Sequence, residues 1–145
     1  MKDHVSHGID IIDHYEWLKD AIPVVLYHHE KFDGTGYGMG LKGADIPMPA
    51  RIFAIADVFD ALTSRRPYKD PEPFETAMQI LEEGKGHHFD PALMEEFNKI
   101  ARPLHAEVGN ASGELLENIL NNITDLYFPE NATITRLNPF NLAAH

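Results

Sequence analysis

Apolar positions recur at helical spacing along almost the whole chain. Val5, Ile9, Ile12 and Tyr15 share one face and predict a first helix over 2–18. A second begins near Pro23, a residue suited to the first helical turn, and ends near His29 or Glu30. Gly34, Gly36, Gly38, Gly40 and Gly43, followed by Pro47, read as a loop over 31–48. Ile52, Ile55, Ala56 and Phe59 form a stripe expected to be buried on a third helix over 50–63. Asp70 or Glu72 would cap a fourth over 73–83, which Gly84 and Gly86 terminate. A fifth starts at Asp90-Pro91, turns Leu93, Phe97 and Ile100 inward and is expected to end at Pro103. Beyond a small, polar stretch over 106–113, Ser112 would cap a sixth helix over 113–128. Its Leu116, Ile119, Leu120, Ile123 and Tyr127 share a face that either packs on the domain or forms a dimer seam. The tail from Pro129 reads as irregular. There is no β-rich region, repeat or long low-complexity tract. The fold class is all-α, a bundle of about six helices, with 1–105 as one domain and 106–145 as linker, helix and tail.

Bulk composition narrows the setting. The 145 residues suffice for one domain with a core, and 43% hydrophobic content is ordinary. No apolar run approaches the roughly 18 residues of a membrane helix. Met1-Lys2-Asp3-His4 leads into no signal-like stretch, which points to the cytoplasm. With no cysteine, any metal must be held by nitrogen and oxygen. A formal net charge of −11 argues against binding long nucleic acid, which needs Lys and Arg to neutralise phosphates. A small phosphate substrate stays open, because bound cations can dominate the local field. The nine histidines cluster, as His4, His7 and His14, then His28 and His29, then His87 and His88.

The run from His28 to Gly38 concentrates the chemistry. Two imidazoles and the Glu30 carboxylate, common ligand types for catalytic iron, manganese or zinc, run into glycines that let backbone turn tightly. Successive helical side chains diverge by about 100°. His28 and His29 would then serve two neighbouring metals more readily than one, as in sites that clamp an attacking water and a leaving oxygen. Asp33-Gly34 is a turn dipeptide, so Asp33 reads as structural. Asp57 lies in an apolar stretch where an ionised carboxylate is costly unless paired or bound to metal. Asp60, three residues on, shares its side of the helix. The plain alternative for both is a cap or an ion pair with Arg51 or Arg65. In an acidic chain, Arg66 and Lys69 of the connector Arg65-Arg66-Pro67-Tyr68-Lys69 are candidates for a phosphate clamp. A solvated loop is the other reading, and it is the one assigned to Arg65.

Five separated motifs now stand in order: Met1-Lys2-Asp3-His4, HHEKFDGTGYG, Ile46-Pro47 with Ala50-Arg51-Ile52, ADVFDALTSRRPYK, and Gly86-His87-His88-Phe89-Asp90-Pro91. Together they resemble the C-terminal half of an HD-GYP domain, over residues 1 to about 100. This is the group of the HD superfamily of metal phosphohydrolases that hydrolyses cyclic diguanylate in bacterial signalling. The resemblance implies an all-α fold and two or three divalent metals, iron or manganese. It implies His4, His28, His29 and Asp57 as ligands, and Asp60 on the substrate side. It implies that Arg66 and Lys69 contact the dinucleotide and that Tyr37 lines the pocket. Glu30, Asp33, Gly34 and Gly36 shape the loop.

Two departures qualify it. Gly38 stands where the signature has proline, so the loop is expected to be more mobile. The namesake His-Asp dyad, with the lysine that follows it, occurs nowhere in these residues. The expectation is a fragment, split gene or short form that is inactive alone towards cyclic-di-GMP, with a homodimer or a partner supplying the missing half. A non-catalytic signalling or interaction module is the alternative. A phosphohydrolase of the superfamily acting on another nucleotide is the third reading.

Overall fold

The computed structural model describes residues 16–108 and 113–127. Their elements are a 3-10 segment at Glu16–Ala21, α1 at Ile22–Tyr27, a 3-10 turn at Gly43–Asp45, α2 at Met48–Thr63, α3 at Phe74–Glu83, α4 at Pro91–Val108 and α5 at Gly113–Tyr127. The all-α reading holds, with five α-helices and no strand among the described residues. Most of the expected first helix, with His4, His7 and His14, lies outside those residues, as does Ser112.

The core forms where α2, α3, α4 and one turn converge. Ile55 and Phe59 from α2, Leu81 from α3, Phe89 from the turn and Met94 from α4 are buried together. Phe59 meets Phe74 and Phe97 edge-on, at centroid distances of 6.2 and 5.2 Å, a favoured aromatic geometry.

The turn from Gly84 to Asp90 connects several elements. The Gly84 carbonyl accepts from the N–H groups of His87, His88 and Phe89, and Gly86 takes a φ of 80° that suits glycine. Asp90 then caps α4, its Oδ1 accepting from the Ala92 N–H at 2.9 Å, while Oδ2 takes the Arg51 guanidinium from α2. The carbonyls of His87 and His88 accept from Asp33 and Phe32, which fastens the glycine loop to the same turn.

Several expectations need correction. On α2 the buried residues are Ala50, Ala54, Ile55 and Phe59, while Ile52 is 50% exposed and Ala56 is also exposed. The buried stripe is thus rotated from the one expected, because small alanines pack closely against the core. Neither Asp70 nor Glu72 caps α3. Pro73 is its N-cap without a side-chain bond, and Glu72 instead donates its N–H to Leu62. Ile100 of α4 is exposed, and Met94 and Ala101 face inward. Pro103 does not end α4, which continues to Val108. Docking on both sides of the proline holds the helix, since Ala101 is buried, the Arg102 guanidinium lies 4.6 Å over the Phe74 ring and the His105 ring lies 5.2 Å from it.

The chain divides into two compact units, Met1–His105 and Ala106–His145. In the first, Ile52, Ile55, Ala56, Leu93, Phe97 and Leu104 line an apolar groove of about 320 Å³. In the second, α5 exposes Leu115, Leu116 and Leu120.

Candidate active site

The histidine pair sits just past the end of α1. His28 is its C-cap, and the His28 Nδ1 lies 2.9 Å from the Val24 carbonyl and 3.1 Å from that of Val25. Carbonyl oxygens only accept, so Nδ1 is the donor of these contacts. The two imidazole centroids are 3.8 Å apart, tilted by 39°. Divergence of adjacent helical side chains does not apply here, because His29 lies in the turn beyond the helix. The expectation that the rings point apart is therefore corrected.

The glycine loop folds back over this pair. Tyr37 stacks on His29 at 4.7 Å and 25°, and its hydroxyl lies 3.0 Å from Nδ1 of that ring. Glu30 is buried, and its Oε1 accepts from the N–H groups of Met39 and Gly40. Asp33 accepts from the Thr35 N–H at 2.8 Å and from the Thr35 hydroxyl at 2.6 Å, a turn closed by its own side chain. Those two bonds hold the Asp33 carboxyl below the usual carboxylate range, with the nearby His87 and Lys31 adding to the effect. Gly34 takes a φ of 84° and donates to the Lys31 carbonyl. Gly36 presses on backbone, where an added Cβ would stand 2.4 Å from the Lys31 nitrogen.

One face of α2 joins this region to the cations. Phe53 meets the His28 ring edge-on at 5.7 Å. Asp57 follows one turn later on the exposed side, and Asp60 about 10 Å along the axis from Phe53. Asp57 is exposed, so the burial penalty inferred for its carboxylate does not arise. Asp60 accepts from the Ser64 hydroxyl at 2.6 Å and pairs with Arg66 at 3.4 Å, not with Arg51 or Arg65. Arg51 belongs to Asp90. Arg66 and Lys69 exchange backbone hydrogen bonds of 3.1 and 3.2 Å, which brackets Pro67 and Tyr68 as a tight turn. Arg65 to Asp70 line an open concavity of about 660 Å³. The exposed pairs Arg66–Asp60 and Lys69–Glu72, both at 3.4 Å, are each worth only about 0–1 kcal/mol, so an anionic ligand can displace them.

The structure thus gathers His28, His29, Tyr37 and Glu30 into one cluster and Asp60, Arg66 and Lys69 into another. Asp57 lies along the helix between them, and His4 lies outside the described residues. Among the described residues no three His, Asp or Glu side chains come together as a metal-binding group. The histidine pair supplies two imidazole donors, which fits part of a metal centre and not a whole one. Phe53 was missed in the sequence, although its position four residues before Asp57 put it on the same side of the helix. Tyr68, wholly exposed at the tip of the cationic turn, was also passed over.

A family model described as an HD domain matches residues 1–93, more than half of the 145. The chain belongs to the HD domain family. With its HHEKFDGTGYG run it is of the HD-GYP type within that family. It is 53% identical over 105 residues to a probable cyclic di-GMP phosphodiesterase of Vibrio cholerae, covering 67% of this chain and 24% of that protein. It is 40% identical over 106 residues to a cyclic di-GMP phosphodiesterase of Thermotoga maritima, covering 72% of this chain and 29% of the other. A 3'3'-cGAMP-specific phosphodiesterase 2 of Vibrio cholerae is 45% identical over 97 residues, covering 66% and 19%. The chain therefore spans less than a third of the length of each of these relatives. No helix among its described residues is long and apolar enough to cross a membrane.

Proposed function

We propose that this chain carries the histidine-and-glycine-loop half of a cyclic-di-GMP phosphodiesterase centre. The observation that carries the reading is the paired imidazoles of His28 and His29, held between Phe53 and Tyr37 on the α2 face that leads to Arg66 and Lys69. In this reading His28, His29 and Asp57, with His4, are donors to two or three divalent ions, iron or manganese. Arg66 grips a phosphate in a two-pronged fashion and Lys69 supplies a point charge. Asp60 holds Arg66 until the nucleotide arrives, and Tyr37 lines the pocket. A second copy docked through the C-terminal helix, or a partner that supplies the missing half, completes the donor set.

A second reading, a non-catalytic interaction module, is favoured by two observations. The described residues hold no three-donor metal group, and the sequence contains no His-Asp dyad. Calorimetric titration of the purified chain with cyclic diguanylate in the presence of manganese separates the two. The phosphodiesterase reading expects binding that weakens at least about tenfold in the Arg66→Ala/Lys69→Ala variant, since charge-assisted phosphate contacts are each worth on the order of 1.5–3 kcal/mol. Binding that ignores the double substitution, or no binding at all, favours the interaction module.

A further inference from the structure

We infer that Glu30 and Gly38 together set the pose of Tyr37 on His29, which makes Glu30 a positioning residue of the candidate centre. That role rests on the reading above, in which His29 belongs to the centre.

Glu30 is 2% exposed. Its Oε1 accepts from the N–H of Met39 and, at 3.0 Å, from that of Gly40. Its Oε2 is buried with no hydrogen-bond partner. A carboxylate oxygen left in that state is costly, so the side chain stays only because the rest of it is held in place. The two amides that hold it lie just after Tyr37, so the carboxylate grips the loop immediately beyond the tyrosine.

The glycines on either side of Tyr37 make this approach possible. A Cβ at Gly38 would stand 2.4 Å from the Glu30 Oε1 and 2.8 Å from its Cδ. A Cβ at Gly36 would stand 2.6 Å from the Glu30 Cα and 2.7 Å from the His29 carbonyl oxygen. The loop therefore lies directly on the backbone of residues 29–31, with the carboxylate occupying the space where any side chain at 38 would go. Tyr37, fixed on both flanks, has its ring 4.7 Å from that of His29 and its hydroxyl 3.0 Å from Nδ1. Holding one nitrogen of an imidazole fixes which way the ring faces and which nitrogen presents the lone pair. Gly38 thus leaves open the space that the Glu30 carboxylate occupies.

Side-chain nitrogen NMR of the purified chain, with ring-to-ring nuclear Overhauser effects, tests this without nucleotide. The Tyr37–His29 ring contact is expected in the parent and in Glu30→Gln, which keeps an acceptor oxygen, and is expected to vanish in Glu30→Ala. Tyr37→Phe should keep the contact while shifting the His29 Nδ1 resonance. The drop in unfolding temperature caused by Gly38→Ala should shrink to less than about half when Glu30 is already alanine, the mark of two coupled positions. A ring contact that survives Glu30→Ala, or a Gly38→Ala cost independent of Glu30, overturns the inference. Should Glu30→Ala fail to fold, Gly38→Ala and Tyr37→Phe decide it by the contact and by the resonance. Because no nucleotide is present, an intact Tyr37–His29 contact beside absent cyclic diguanylate binding would count against the proposed function alone.

Discussion

At the scale of single residues, the charged groups divide by what they face. Arg51 and Asp90 are both largely buried and join α2 to the cap of α4. Removing one partner leaves the other charge uncompensated, so Arg51→Ala should destabilise the fold by about 3 kcal/mol in denaturant unfolding. Arg51→Met should recover part of that only if Asp90 is also replaced. His88 is stacked on Phe89 at 4.3 Å, and burial, aided by the Lys31 charge, pushes its pKa below the ordinary 6.5. The folded state therefore binds this proton less readily than the unfolded chain does, and stability rises with pH across that window. The unfolding temperature should fall as pH drops from about 7.5 to about 5.5, and His88→Asn should flatten that slope. An unchanged slope would place the sensitivity elsewhere. Asp57 shows how far residue-scale reading reaches. Its apolar neighbours are plain in the sequence, but which side of an apolar helix meets the core is set by its partners, and they leave Asp57 in solvent.

At the scale of elements, glycine and proline were the legible signals, while the side-chain cap expected for α3 was not there. The five glycines announce the loop, and Asp33-Gly34 announces a turn that the Thr35 bonds confirm. Helix starts were also legible, because Pro23, Pro49 and Pro91 fall in the first turns of α1, α2 and α4. Pro103 misled for the opposite reason. Local chemistry disfavours proline inside a helix, and docking of Ala101, Arg102 and His105 overrides it. Pro103→Ala should accordingly stabilise the fold, by about 1 kcal/mol or more in denaturant unfolding, since it restores a backbone donor. A loss of stability would mean that the proline supplies packing the helix needs. In the core, Leu81 is completely buried among Phe89, Met94 and Ile55, so Leu81→Ala should cost about 2–5 kcal/mol.

At the scale of the whole molecule, the sequence order of the motifs carried the family, and the fold explains their order. The HHEKFDGTGYG loop and the GHHFDP turn are far apart in sequence, yet Phe32 and Asp33 donate to the carbonyls of His88 and His87. ADVFDALTSRRPYK runs along the helix that contacts the histidines at one end and positions the cationic turn at the other. What the sequence left hidden was the packing of rings. Nothing in the spacing of His28, His29, Tyr37 and Phe53 shows that four aromatic rings meet in series, because that requires α1 to end at Tyr27 and the loop to fold back over it. Among the described residues these rings bring together two imidazole donors and no third His, Asp or Glu.

The central claim is that these residues form one half of a phosphodiesterase centre, and turnover tests it most directly. Purified chain is incubated with cyclic diguanylate and either manganese or ferrous iron, and the nucleotides are resolved by chromatography. The account predicts that cyclic diguanylate is recovered intact. Conversion to the linear dinucleotide or to GMP by this chain alone would contradict it.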